Sequence, residues 1–429
     1  MSTFAPIAVP ATITDPASIG FAPCEGGVCA AAGVKAAGIS AGFRKNPNRK
    51  DLALVAADET CVCAATFTQN RFCAAPVQVS RAHAASGHAR AVILNSGNAN
   101  AATGDPGLEV ARSTAELVAG ELGCAADDVL VASTGVIGVP LGIDKFETGV
   151  PAIVSALEAT SASAHDAACA VMTTDTVPKE VSIEGPVACG ANGEQVMVHV
   201  GGFTKGSGMI QPNMATMLCV LATDAPLTIG AAQSALRAAV YNTFNKVTVD
   251  SDTSTNDSCF LLATGAAGGE PIEVGTPAYE QVAAAIRCTC ENLARKIAAD
   301  GEGATKLVTV DVVGAATDAD ADTVARAIAN SPLVKTAIFG HDANWGRIAG
   351  AAGKCGVLFD QEDVDIDFLG VPVCRSGLTV PMDEEDMLRR FEDPEVTIAV
   401  SLGAGAASTR VWTCDLTHDY VTINGDYRT

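Results

Sequence analysis

The chain has 429 residues, 49 Asp plus Glu against 27 Lys plus Arg, a net charge of −22 and a hydrophobic fraction of 48%. That length predicts two or three domains, or one large intimate pair, with enough core to exclude disorder. The acid excess excludes a surface for nucleic acid or an anionic membrane, but leaves room for small anionic substrates in one local cationic pocket. Fifteen cysteines, odd in number and scattered, form no CxxC pair. They read as small buried thiols in a reducing cytosol, and the close pairs Cys61/Cys63 and Cys288/Cys290 lack a second half at metal-site spacing. The first basic residue is Lys35 and no apolar run approaches the ~18 residues of a membrane helix, so a soluble cytoplasmic protein is expected.

In chain order, residues 104–123 predict a capped amphipathic helix, with Asp105 and Pro106 at its start and Gly123 at its stop. Leu108, Ala111, Ala115, Val118 and Leu122 fall on one stripe. Further helical patterns occupy 145–160, 229–246, 277–299 and 320–331. MATMLCVLATD (214–224) reads as a buried strand, and 307–313, 364–368 and 396–402 read as further strands. The strictly alternating VDIDF of 364–368 predicts a strand with one wet face. The acidic run Asp383 to Asp386 reads as a solvated helix start. Helices and half-exposed strands in this order predict an α/β or layered α+β fold, with mixed sheets covered by helices.

The short motifs mostly read as local structure. GISAG (38–42) matches a nucleophile elbow, but a small, mixed segment precedes it and FRKNPNRK cannot continue a helix past Pro47, which disfavours Ser40 as nucleophile. DSDTSTND (250–257) begins like a calcium loop but has Thr255 and Leu261 where Gly and Glu are needed, so a side-chain-satisfied turn beside the active site is favoured. GAGAAS (403–408) lacks the third glycine of a dinucleotide loop. The six histidines show no metal spacing, which removes the usual general base. The unusual stretch is 202–224, GFTKGSGMIQPNMATMLCVLATD. Its Gly-rich loop carries Lys205, the one Lys or Arg between Lys179 and Arg237, and Thr216 stands near the start of the strand that follows. By itself Thr216 would be an ordinary β-branched strand residue.

KGSGMIQPNMATML closely resembles the signature around the self-cleaving bond of the ornithine acetyltransferase family, the ArgJ proteins of arginine biosynthesis. NSGNANAATG (95–104), STGVIG (133–138), MTTDTVPK (172–179), TVDSDTSTNDS (248–258), EGATK (302–306), NWGRI (344–348) and CDLTHDYVTINGDYRT (414–429) resemble further family blocks, in family order. The resemblance implies a self-cleaving acyltransferase with an N-terminal threonine nucleophile. The cut would fall between Ala215 and Thr216, giving segments 1–215 and 216–429, expected as two copies of each. It implies acetyl transfer from N-acetylornithine to glutamate by a ping-pong mechanism through an acetyl-Thr216 ester. No cofactor is implied; acetyl-CoA enters as a further donor if the enzyme also starts the acetyl cycle.

The residues carried over by the resemblance are Thr216 as nucleophile and Thr134 and Gly135 as the oxyanion hole. Thr173, Lys205, Thr216, Glu302, Asn424 and Thr429 carry over as substrate-binding residues. Lys205 suits an α-carboxylate and Glu302 a side-chain ammonium. Chemically, cleavage would free the α-amine of Thr216, whose reference pKa of about 7.7–8.0 leaves a neutral fraction able to act as base for its own hydroxyl. Gly425-Asp426 stands where the family more usually has an Ala-Glu-like pair. A rival reading is an N-terminal-nucleophile amidase or aminopeptidase, with water as acceptor.

Overall fold

The computed structural model describes residues 4–211 and 217–426. Its contacts separate two compact units, one of Ile13–Asn245 with Thr253–Ile297, the other of Met1–Thr12, Lys246–Asp252 and Ala298–Arg428. Among the described residues no helix is long and apolar enough to cross a membrane.

The larger unit is built on a nine-stranded mixed sheet of β1 (Ala22–Pro23), β2 (Val34–Ile39), β3 (Leu52–Phe67), β4 (His88–Asn98), β5 (Val129–Val136), β6 (Lys179–Val187), β7 (Val196–Lys205), β8 (Leu218–Thr223) and β9 (Ser258–Ala263). The order is β1-β6-β7-β8-β9-β3-β4-β5, with β2 on β3. The pairs β4–β5 and β8–β9 are parallel and the others antiparallel. Its helices are α1 (Ala75–His83), α2 (Gly104–Leu122), α3 (Asp144–Ser155), α4 (Ser161–Val171), α5 (Ile229–Asn242) and α6 (Pro277–Ala299), the last leaving the unit after Ile297.

Successive strand side chains point to opposite faces, and both faces of this sheet are covered. Leu52, Leu54 and Ala56 of β3 pack with Ala115 and Val118 of α2 and Val150 of α3. Their neighbours Ala53, Val55 and Ala57 pack with Ala164, Ala167 and Val171 of α4. Small residues let these layers approach: a β-carbon on Gly38 of β2 would lie 2.0 Å from the carbonyl oxygen of Asp166 in α4. β8 is buried along its whole length, as the run LCVLAT predicts, and so is its neighbour β9.

The smaller unit carries a six-stranded sheet of β10 (Leu307–Ala315), β11 (Asp365–Phe368), β12 (Val371–Arg375), β13 (Leu378–Thr379), β14 (Glu395–Ser401) and β15 (Ala407–Cys414). Its order is β13-β12-β11-β14-β10-β15, parallel only at β10–β14. With it go α7 (Asp318–Ala329), α8 (Pro332–Phe339), α9 (Trp345–Gly353), α10 (Glu384–Arg390) and α11 (His418–Asp426). Val308, Val310 and Val312 of β10 meet Val324 and Ile328 of α7 and Ile348 of α9 in one core.

Mixed sheets covered by helices are the architecture expected from the sequence, with corrections in detail. The helix expected over 145–160 ends at Ser155, because Glu158 leaves the helical path to bridge Ala36 of β2. A separate helix, α4, then starts with a capping box between Thr160 and Ser163. The strand of 364–368 is only partly wet on its outer face: Asp365 is half-exposed, but Asp367 is not. Asp367 is buried, 2% exposed, accepting the Ile7 amide at 2.6 Å and pairing with Arg375 at 2.6 Å, so an alternating pattern here hides an ion pair. His83 ends α1 and His88 begins β4. The DEED run behaves as expected: Asp383 caps α10 by accepting the amides of Glu385 and Asp386. Cys61, Cys63, Cys288 and Cys290 are buried free thiols, and burial pushes the thiol of Cys288 up to about 11.

Candidate active site

The ends of β4 and β5 hold the candidate oxyanion-hole residues. Ser96 is in register with Thr134 and Gly97 with Gly135, and the ladder becomes irregular immediately beyond. Gly135 has φ +133°, and a β-carbon there would lie 2.4 Å from the carbonyl carbon of Gly97 and 2.6 Å from the Asn98 nitrogen. Only glycine suits that conformation and that approach. The half-buried Thr134 is the residue before it.

An asparagine network fixes this edge. The Ser133 hydroxyl donates to Asn95 Oδ1 at 2.6 Å, and Asn256 Nδ2 donates to the carbonyls of Ser133 at 2.9 Å and Ala99 at 2.6 Å. Thr255 donates to Asn256 Oδ1 at 2.6 Å, which orients the amide. Segments 95–104, 133–138 and 253–257, distant in sequence, therefore form one buried polar cluster whose members satisfy each other. The reading of 250–257 as a side-chain-satisfied turn agrees: Asp250 accepts the Asp252 amide and Ser254 the Asn256 amide.

Thr173 lies in the turn between α4 and β6. Arg49 donates to its carbonyl at 2.8 Å, and Arg44 donates to the carbonyl of Met172 and, at 3.1 Å, to the Ser96 hydroxyl. Buried Asp51 holds the loop carrying these arginines, accepting the amides of Ala41 at 2.6 Å and Arg44 at 2.9 Å. A β-carbon on Gly97 would lie 3.2 Å from Arg44 Cγ, so the same arginine runs past the Gly97–Gly135 contact. Arg44 thus joins the strand ends that carry Thr134 and Gly135 to the turn that carries Thr173.

Asp175 completes the turn. Its buried carboxylate accepts from Lys179 Nζ at 2.7 Å, the Gly206 amide at 2.7 Å and the Thr173 amide at 2.9 Å, and lies 4.0 Å from Nζ of Lys205. Burial alone would raise its pKa; Lys205, Lys179 and the hydrogen bonds from Lys179 and Thr173 outweigh burial and hold it well below the usual carboxylate range. Lys205, the last residue of β7, is 8% exposed. Thr134, Gly135, Thr173 and Lys205 are therefore joined by one chain of contacts within the larger unit. Ala215, Thr216 and Thr429 lie outside the described residues.

Glu302 and Asn424 belong to the smaller unit, where Asn424 Nδ2 donates to Glu302 Oε2 at 2.7 Å. Gly303, with φ +71°, admits the start of α11: a β-carbon there would lie 2.7 Å from the Tyr420 nitrogen. Asp415 holds the EGATK loop by accepting the amides of Thr305 at 2.8 Å and Lys306 at 3.1 Å. Burial, followed by the charges of Asp250, Glu302 and Asp252, pushes the Tyr420 phenol up to about 12. Gly425 has open space around it, so its replacement of the more usual alanine leaves the Asn424–Glu302 contact intact.

Sequence reasoning passed over Arg44, Arg49, Asp175, Asn95 and Asn256. The arginines sit in FRKNPNRK, which was informative only as a helix breaker, and the others lie inside family blocks without a chemistry of their own. The elbow reading of GISAG gains nothing, since no helix follows Ser40.

A sequence model of the ArgJ family matches residues 35–429. The arginine biosynthesis bifunctional protein ArgJ of Symbiobacterium thermophilum is 46% identical over 405 residues, covering 94% of this chain and 99% of its own. The protein of the same name from Chlorobaculum tepidum is 46% identical over 400 residues, covering 92% and 96%. Among solved structures, the bifunctional ArgJ protein of Bacillus halodurans aligns with a TM-score of 0.47 and 42% identity, over 49% of this chain and 98% of that one. The ornithine acetyltransferase of Mycobacterium tuberculosis complexed with ornithine aligns with a TM-score of 0.39 and 37% identity, over 46% and 98%.

Proposed function

The chain belongs to the ArgJ family, and from that premise we propose that it transfers the acetyl group of N-acetylornithine to glutamate, through an acetyl ester on Thr216. It is an acyltransferase of arginine biosynthesis, the process given in its relatives' names. The observation that carries the finer reading is the run KGSGMIQPNMATML, which ends two residues past Thr216 and stands in family order with the other blocks.

In this reading the precursor cuts itself between Ala215 and Thr216. The new α-amine of Thr216, with a reference pKa of about 7.7–8.0, takes the proton of its own hydroxyl. The hydroxyl oxygen attacks the acetyl carbonyl, the oxyanion is met by the Thr134 hydroxyl and the Gly135 N–H, and ornithine leaves with the proton. The amine of glutamate then attacks the ester by the reverse route. Removing one oxyanion donor costs ~2.7–4 kcal/mol in such reactions. Lys205 takes the α-carboxylate of the substrates and Glu302 the ornithine side-chain ammonium, with Thr173 as a further substrate-binding residue and Asn424 and Thr429 closing the pocket. The mature enzyme holds two copies of each segment.

The test is a transfer assay with purified protein. Wild type forms N-acetylglutamate from N-acetylornithine and glutamate with double-reciprocal plots parallel, and Thr216→Ala remains one chain without activity. Hydrolysis of N-acetylornithine in excess of transfer would overturn the assignment in favour of an amidase. The word bifunctional in the relatives' names supports acetyl-CoA as a second donor. N-acetylglutamate formation from acetyl-CoA and glutamate alone tests that addition.

A further inference from the structure

We propose that Asp175 is a positioning residue for this transfer, its carboxylate holding Thr173 and Lys205 together as a single substrate-binding edge. The proposal rests on the reading of Thr173 and Lys205 as substrate-binding residues. Asp175 itself is expected to touch no substrate.

The geometry separates this role from that of an ordinary buried ion pair. The Asp175–Lys179 pair alone, with neither side chain exposed, would be neutral and closed. Here the second oxygen faces elsewhere, taking the Thr173 amide at 2.9 Å and lying 4.0 Å from Lys205 Nζ. At 4.0 Å the carboxylate steadies the ammonium by its field and not by occupying an N–H in a hydrogen bond. The first oxygen takes the amide of Gly206, the residue after Lys205, so the carboxylate grips the end of β7 through the backbone as well.

Each oxygen of Asp175 faces donors: Lys179 and Gly206 on one, Thr173 and Lys205 on the other. Asparagine cannot reproduce this. Whichever way its amide is turned, the NH2 group meets donors, and one half of the arrangement must move. A variant Asp175→Asn alone also strands the buried Lys179 cation, which threatens folding. Combining Asp175→Asn with Lys179→Met removes the stranded charge while keeping the mismatch toward Thr173 or Gly206.

The experiment measures steady-state transfer from N-acetylornithine to glutamate for wild type, Lys205→Met, Asp175→Asn and the double variant Asp175→Asn/Lys179→Met, with thermal melting of each. The expected result is a rise in KM for both amino-acid substrates of about tenfold or more in the double variant, with kcat changed much less, the signature of lost binding common to ground and transition states. A double variant that folds and keeps the wild-type KM overturns the proposal. Failure of both Asp175 variants to fold overturns it too, since Asp175 would then be a structural anchor. If Lys205→Met leaves KM unchanged, the substrate-binding reading beneath the proposal has failed instead, which the Asp175 variants alone would not reveal.

Discussion

At Gly135 the backbone takes φ +133° and passes so close to Gly97 that a β-carbon would lie 2.4 Å from a carbonyl carbon. In the proposed oxyanion role this residue contributes backbone placement, because its N–H is aimed only if the two strand ends stay in contact. Gly135→Ala is therefore expected to lower kcat by about 10²–10³-fold, as loss of one oxyanion donor does, and steady-state kinetics on the folded variant checks it. Tyr420 makes a prediction of a different kind. Burial, followed by the nearby acidic charges, raises its folded-state pKa from the ordinary tyrosine value of about 10 to about 12, so the folded form holds its proton longer than the unfolded one. Its contribution to stability is complete below about pH 10 and is lost as pH rises through the window from about 10 to about 12. Ultraviolet titration of the folded protein should show Tyr420 ionising near pH 12, as a step that Tyr420→Phe removes.

The elements show what the sequence made legible and what it hid. Helix α2 was readable almost to the residue: Ala111, Ala115 and Val118 are buried, and Gly123 ends it at φ +67° by donating its N–H to the Ala119 carbonyl. Local pattern failed where tertiary pairing intervened, as at Glu158, pulled away to Ala36, and at Asp367, buried by Arg375 and the Ile7 amide. The site divides in the same way. Thr134, Gly135, Thr173 and Lys205 were singled out because each lies in a recognisable block. The role of Arg44 depends on a carbonyl 128 residues away, and that of Asp175 on an amide 31 residues away, so no window along the chain contains either. Within α2, Gly120 is exposed, has no positive φ and would meet nothing if given a β-carbon. Gly120→Ala should stabilise the protein by about 0.5–1 kcal/mol, read as a higher midpoint in urea with an unchanged slope.

The molecule as a whole is divided in two different ways. By contacts, the N-terminal residues belong to the unit built mostly from the C-terminal third of the chain, where Arg375 donates to the Ala5 carbonyl at 2.9 Å and Arg410 to that of Pro10 at 2.8 Å. The proposed cut falls elsewhere, between β7 and β8, which are antiparallel neighbours paired from Val200–Thr223 to Lys205–Leu218. A chain cut there keeps its strand ladder and its buried apolar contacts. Two segments can therefore stay associated without a covalent link, and Lys205 of the first segment stays beside the strand that follows Thr216. The most direct test is an intact mass spectrum of the wild-type protein, denatured after brief incubation with N-acetylornithine alone. The account predicts two fragments, 1–215 and 216–429, with one acetyl group added to the second and located on Thr216. A single uncut chain that is nonetheless fully active, or an acetyl group on any residue other than Thr216, would contradict it.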